Sequence, residues 1–167
     1  MMTKAVFLDR DGVINMERGT YTWRLDDFKF VPDILNNLKK LYDHGFMLIV
    51  ITNQGGIAKG MFQQEEVEAI HRFMLQEMAN RGIYIEEVYY CPHHPHYGKC
   101  LCRKPAPLMI EKALSRFNIS HNKAFFIGDH ERDYEAGIKS GIKTYKIEAN
   151  SSIANICNEI IKSCPDD

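Results

Sequence analysis

Two carboxylates two positions apart, Asp9 and Asp11 in "LDRDGVIN", are the first groups along the chain placed to do chemistry. Thr52 and Asn53 open "TNQGGIAKG", Arg103 and Lys104 close "CPHHPHYGKCLCRKP", and Asp129 and Asp133 frame "GDHERD". Each piece has an ordinary explanation by itself. D-x-D-G is a common turn, Thr-Asn hydrogen-bonds within its own loop, and Gly-Asp after a strand caps a helix. Together they bring acids, a hydroxyl, an amide and a lysine, a set suited to phosphoryl transfer through a covalent intermediate. A carboxylate attacks phosphorus only when the phosphate's own charge is masked by a divalent cation, a lysine and hydrogen-bond donors. Asp9 and Asp129 offer hard oxygen ligands for Mg²⁺, with a backbone carbonyl from the Asp11 turn. Asp133 either reaches the ion through water or braces its helix. Lys104 supplies positive charge. Thr52, Asn53 and the backbone N–H groups near Gly12 donate to phosphate oxygens, and Asp11 moves the proton on and off.

These groups share a position in the pattern of elements. "KAVFL" (4–8), "FMLIVI" (46–51), "EEVYY" (86–90), "KAFFI" (123–127) and "KTYKI" (143–147) read as strands, apolar enough to be covered on both faces. Between them lie amphipathic stretches. Pro32 opens one with Ile34, Leu35, Leu38, Leu41 and Tyr42 on a face and Gly45 as its stop. Val67, Ile70, Met74 and Met78 stripe a second that ends at Gly82, and Ile110, Ala113, Leu114 and Phe117 a third after Pro107. Residues 131–140 form a fourth, acidic at its start and stopped by Gly141, and 151–162 a fifth. This alternation predicts a doubly wound, Rossmann-like parallel α/β sheet with helices on both faces, in one domain over 1–167. Ligands of such sheets bind beyond the carboxyl ends of the strands, where every candidate group falls.

Composition narrows the classes of function. The 21 basic and 22 acidic residues leave a net charge of −1 with no basic run, which argues against a nucleic-acid surface. No apolar stretch approaches the ~18 residues of a membrane helix, and the N-terminus lacks the pattern of a signal peptide. The expected address is cytoplasmic, without membrane or nucleic-acid partners. No coiled-coil stripe points beyond a monomer.

The four strand-end segments resemble the four motifs of the haloacid dehalogenase superfamily of phosphatases, in the same order. "TNQGGIAKG", "CPHHP" and "CRKP" are similar to those of its heptose 1,7-bisphosphate phosphatases and their relatives, the histidinol-phosphate phosphatases. The resemblance implies Asp9 as nucleophile, Asp11 as acid and base, and Mg²⁺ held at Asp9, Asp11, Asp129 and Asp133. It implies release of the C7 phosphate of a heptose bisphosphate, in ADP- or GDP-heptose biosynthesis. Histidinol-phosphate hydrolysis in histidine biosynthesis is the alternative. A non-catalytic binding module on the same fold is another class, but Asp9, Asp11 and Asp129 are all present. Only residues 13–31 and 55–85 are open to insertions, which leaves no space for a separate cap domain.

Three of the five cysteines and three of the seven histidines crowd into residues 91–105. Cys91, His93, Cys100 and Cys102 number the four ligands of a closed zinc site, though C-x-H and C-x-C are tighter than common zinc spacings. A partial disulfide, unpaired thiols or a redox pair are the competing readings; an odd count and a reducing compartment weigh against the first two. The resemblance implies structural Zn²⁺ on these four residues, in a loop that presents Arg103 and Lys104. His94 and His96 are left to the surface or to substrate, and Cys157 and Cys164 to packing or exposure. A bisphosphate needs a second anionic pocket. Arg103, Lys59, Arg18 and His130 are its candidates, each equally able to be a solvated charge.

Overall fold

The computed structural model describes residues 3–164, so the outermost five positions of the expected 1–167 domain lie outside it. Five parallel strands form one sheet in the order β3-β2-β1-β4-β5. They are β1 (Thr3–Leu8), β2 (Met47–Asn53), β3 (Ile85–Cys91), β4 (Ile119–Gly128) and β5 (Lys143–Lys146). The helices are α1 (Ile34–Asp43), α2 (Gln64–Ala79), α3 (Leu108–Arg116), α4 (Glu131–Lys139) and α5 (Ala154–Ser163).

Strand alternation sends neighbouring side chains to opposite faces, and the two faces carry separate cores. Val6, Leu8, Leu48, Val50, Phe125 and Ile127 meet the stripes of α1, α2 and α5, including Ile34, Leu38, Leu41, Ile70, Met74, Met78 and Ile160. Ala5, Phe7, Ile49, Ile51, Ala124 and Phe126 meet Met109, Ile110, Ala113, Leu114 and Ala136 of α3 and α4. Each fully buried large apolar side chain contributes about 1.5–3 kcal/mol relative to exposure. The expected doubly wound α/β fold, with helices on both faces, is the fold observed. Cys157 and Cys164 are buried in the first core, so packing is their role.

The differences from the sequence reading lie at element ends. Helix α1 starts at Ile34 rather than at Pro32, because Asp33 takes a left-handed conformation (φ 64°). Strand β4 begins four residues early, at Ile119, behind a polar "SHN" that masks its start and an irregular register between Thr3 and Ala5 of β1. Strand β5 is short and largely uncovered, as an edge strand must be. Among the described residues, the segment between β1 and α1 adds one 3₁₀ turn (Leu25–Asp27) and isolated bridges, and α2 is the helix between β2 and β3. No helix of the described residues is long and apolar enough to cross a membrane.

The strand order fixes where a site can form. The chain runs outward from β1 through β2 to β3, then returns to lay β4 on the other side of β1. The crevice at this reversal opens beyond the carboxyl ends of β1 and β4.

Candidate active site

Asp9 follows β1 directly, and its N–H continues the ladder to the Ile127 carbonyl at 3.0 Å. Asp129 follows β4, and Asp133 enters from the first turn of α4, where its Oδ2 accepts from the His130 N–H at 3.0 Å. Oxygens of Asp9, Asp129 and Asp133 all lie within 4.8 Å of one another. Lys104 reaches the same place from the loop after β3. Its Nζ is buried, 3.0 Å from Asp9 Oδ1, 2.6 Å from Asp133 Oδ1 and 2.7 Å from the Ile51 carbonyl to which it donates.

Three carboxylates around one ammonium leave an excess of negative charge. Burial, then repulsion from Asp133, pushes Asp9 well above the usual carboxylate range despite Lys104. Burial also raises Asp129, with Asp133 adding to it against the pull of His130. Burial works against ionisation of Asp133 and Lys104 too, but their mutual attraction outweighs it, so Asp133 is lowered and Lys104 raised. Both Asp129 oxygens are buried without a hydrogen-bond donor. Acceptors stranded in this way, grouped with two further carboxylates, fit a hard divalent cation held by oxygen.

Asp11 is placed differently. Its Oδ1 accepts from Arg10 Nη2 at 3.0 Å and Asn15 Nδ2 at 2.9 Å, and its Oδ2 from Gln54 Nε2 at 2.9 Å. Burial favours its neutral form, but the Arg10 charge and these donors win, and Asp11 is held below the usual range. Gly12 makes the turn possible. Its φ is +86°, and a Cβ there would run into the Asp129 carboxylate.

A cavity of about 340 Å³ opens onto these acids, lined by Asp9, Asp11, Thr52, Asn53, Lys59 and His130 among the expected residues, and by Tyr21 and Arg132 besides. Several expected donors have other partners. The Gly12 N–H donates to the Asn15 carbonyl at 2.7 Å, which removes it as a phosphate donor. Asn53 clamps the Lys104 backbone, accepting from its N–H at 3.0 Å and donating to its carbonyl at 3.1 Å. Arg18 pairs with Asp27 at 3.1 Å and Arg103 donates to the His93 carbonyl at 3.1 Å; neither lines the cavity. Thr52 keeps a hydroxyl proton to give, since its Oγ1 accepts from Gln54 Nε2 at 3.0 Å. Arg10, Asn15 and Gln54 went unread in the sequence although they stand inside the quoted motifs; nothing in a one-dimensional pattern distinguishes a residue that holds Asp11 from its loop neighbours. Arg132 was also missed, since helix phase alone does not aim a first-turn side chain.

The second cluster lies beyond β3. Cys91 Sγ is 3.7 Å from Cys100 Sγ, 3.1 Å from Cys102 Sγ and 3.5 Å from His93 Nδ1, which is 3.3 Å from Cys102 Sγ. No disulfide joins these thiols. A tetrahedral zinc with Zn–S near 2.3 Å and Zn–N near 2.0 Å separates its ligands by about 3.5–3.8 Å, close to the spacing of these four atoms. Burial and the adjoining thiols push Cys91 far up, the penalty a cation would relieve. His94 is half-buried and His96 exposed, both outside this set.

Known proteins resemble the chain in sequence and in fold. Residues 8–147 match the family model described as haloacid dehalogenase-like hydrolase. The chain is 39% identical over 148 residues to the D-glycero-beta-D-manno-heptose-1,7-bisphosphate 7-phosphatase of Pasteurella multocida, covering 85% of this chain and 79% of that one. It is 38% identical over 174 residues to the enzyme of the same name from Photorhabdus laumondii, covering 97% and 92%. Among solved structures it is similar to D,D-heptose 1,7-bisphosphate phosphatase from B. bronchiseptica, complexed with magnesium and phosphate, at TM-score 0.82 and 25% identity over 97% of this chain and 100% of that one. A putative phosphatase from Mesorhizobium loti, at TM-score 0.85 and 23% identity over 97% and 86%, shares the fold.

Proposed function

The chain belongs to the haloacid dehalogenase-like hydrolase family and is a phosphoric monoester hydrolase; from that premise we propose that it removes the C7 phosphate of D-glycero-D-manno-heptose 1,7-bisphosphate through an aspartyl-phosphate on Asp9. The observation that carries this reading is the convergence of Asp9, Asp129, Asp133 and Lys104 in the crevice beside Asp11. Asp9 attacks phosphorus and forms an O–P bond as the bond to the sugar oxygen breaks. Asp11 gives that oxygen its proton, then takes one from the water that attacks the acyl-phosphate, releasing phosphate and restoring Asp9. Substrate phosphate brings negative charge against Asp11, which raises its affinity for the proton it must donate. Thr52 donates its hydroxyl to a phosphoryl oxygen, and Lys104 orients Asp9 while balancing its charge. Asp9, Asp129 and Asp133 would hold Mg²⁺, with the Asp11 carbonyl, and the cation supplies charge masking for the phosphate and keeps Asp9 ionised.

Specificity rests on the basic side chains that line the cavity. Lys59, whose Nζ sits 5.2 Å from the Tyr21 ring centre, His130 and Arg132 line it together. These three basic groups outnumber Glu17, the one acid of the lining besides Asp9 and Asp11, and suit the second phosphate of a bisphosphate better than the ammonium of histidinol phosphate. Arg132→Ala therefore lowers kcat/KM on the bisphosphate by about tenfold more than on p-nitrophenyl phosphate, as expected for one lost charge-assisted hydrogen bond. The deciding experiment is steady-state phosphate release from heptose 1,7-bisphosphate (both anomers) and from histidinol phosphate. A preference for histidinol phosphate of about tenfold, or 1.4 kcal/mol, overturns the substrate assignment.

The Cys91, His93, Cys100 and Cys102 set would hold Zn²⁺ as a closed structural site that ties down the loop carrying Lys104. Cys100→Ser should strip the protein of most of its zinc in metal analysis, lower Tm by roughly 5 °C and reduce turnover, while Mg²⁺ dependence persists. Full zinc content in that variant refutes the ligand set.

A further inference from the structure

Arg10 has no solvent exposure, yet its side chain stands between the catalytic loop and α2. One terminal nitrogen of its guanidinium, Nη2, donates to Asp11 Oδ1 at 3.0 Å and to the Thr22 carbonyl at 2.8 Å. The other, Nη1, lies 3.3 Å from Nε2 of His71, which is sixty-one residues away in sequence and itself buried. Arg10 has no acceptor to offer, so His71 must accept, and its ring must be neutral. The surroundings agree. Burial, then the Arg10 charge, holds the His71 pKa down to about 3.

His71 is conspicuous on its own helix. Val67, Ile70, Met74 and Met78 share its buried face, and an apolar residue would continue that stripe without desolvating an imidazole. Its ring packs edge-on to Tyr90, with centres 5.5 Å apart, which fixes its direction. The mechanism asks for a reason, because Asp11 must present one oxygen to the leaving group within a few tenths of an ångström. Arginine is long and rich in rotamers. With Nη1 tied to His71, the planar guanidinium presents Nη2 to Asp11 as a fixed donor.

We propose that His71 is a positioning residue for phosphoryl transfer: it anchors the Arg10 guanidinium from α2, and Arg10 in turn holds the Asp11 carboxylate where the leaving oxygen needs its proton. This rests on the reading of Asp11 as the acid. The proposal separates His71 from mere core filling, because loss of proton donation hurts a poor leaving group and spares a good one. kcat/KM reports events through departure of the leaving group, so dephosphorylation does not confuse the comparison.

The test measures kcat/KM on heptose 1,7-bisphosphate, whose leaving group is an alkoxide, and on p-nitrophenyl phosphate, whose phenolate leaves unaided. His71→Leu should lose about tenfold or more on the first and less than about threefold on the second, and His71→Gln, whose amide oxygen can accept from Arg10, should recover most of the loss. Equal losses on both substrates, or a glutamine variant no better than leucine, overturn the proposal. Should His71→Leu fail to fold, His71→Met, of similar volume and at best a weak acceptor, is read in its place against the same two outcomes. Asp11→Asn run alongside separates the two levels. If it too shows no leaving-group selectivity, the acid role of Asp11 fails; if it is selective and the His71 variants are not, the anchoring role alone fails.

Discussion

Asp9→Asn should release phosphate from heptose 1,7-bisphosphate at least about 10⁴-fold more slowly than the parent, the scale on which removal of a covalent nucleophile acts. The amide keeps the shape of the carboxylate and can still accept from the Arg10 N–H, which lies 2.8 Å from Asp9 Oδ1. It lacks the charge and nucleophilicity needed to attack phosphorus. Folding is not the cause, because Asp9 is a raised, buried carboxylate crowded by Asp133 and Asp129, and a neutral group relieves that repulsion. The variant should therefore melt no lower than the parent in Mg²⁺-free buffer. Rapid-quench detection of an acid-stable, base-labile phosphoprotein in the parent, absent from Asp9→Asn, completes the test. Near-parent turnover in the variant refutes the aspartyl-phosphate route.

Lys104→Met should destabilise the fold by about 3–5 kcal/mol as well as remove most activity, since it strips the counter-charge from buried carboxylates. Lys104 is 2% exposed, with Asp9 and Asp133 within 3.0 Å of its ammonium. Asp133→Asn in the same chain should restore a large part of the loss, a coupling that a denaturant double-mutant cycle measures directly. The pH dependence has a definite sign. Asp133 is depressed below its ordinary 3.8, so its share is present above that value and lost as pH falls through its folded pKa. Lys104 is raised above its ordinary 10.5, so its share is present below that value and lost as pH rises through its folded pKa. The difference between parent and Lys104→Met thus shrinks toward acid as Asp133 protonates and toward strong alkali as Lys104 loses its proton. An additive double variant would show that the pair does not act as a unit.

These two residues mark how far the sequence could be read. Asp9 was legible because its strand is uniformly apolar and its motif follows at once, so position at a strand end came from periodicity alone. The same logic placed Asp11, Thr52 and Asp129 at strand ends, whereas Lys104 and most of the Cys and His cluster lie in the longer loop that follows β3. Lys104 was read as a charge near phosphate. That it pairs with Asp133 and hangs from the Ile51 carbonyl required the β3 loop to fold back over β1 and β4. Asn53 shows the converse, a plausible phosphate donor whose two side-chain bonds both hold the Lys104 backbone.

What the chain determined by itself is the order of strands and helices, their inward faces, and the set of groups gathered at one edge of the sheet. Hydrophobic period and local turn chemistry act over a few residues, and a linear reading captures them. Tertiary structure alone decided which donor meets which acceptor. It turned Gly12 and Arg18 away from the cavity, brought Arg132 into it, and set His71 against Arg10 across sixty-one residues of chain. Hydrogen bonds depend on tenths of an ångström and on competition among neighbours, and that competition exists only once the strands are laid side by side.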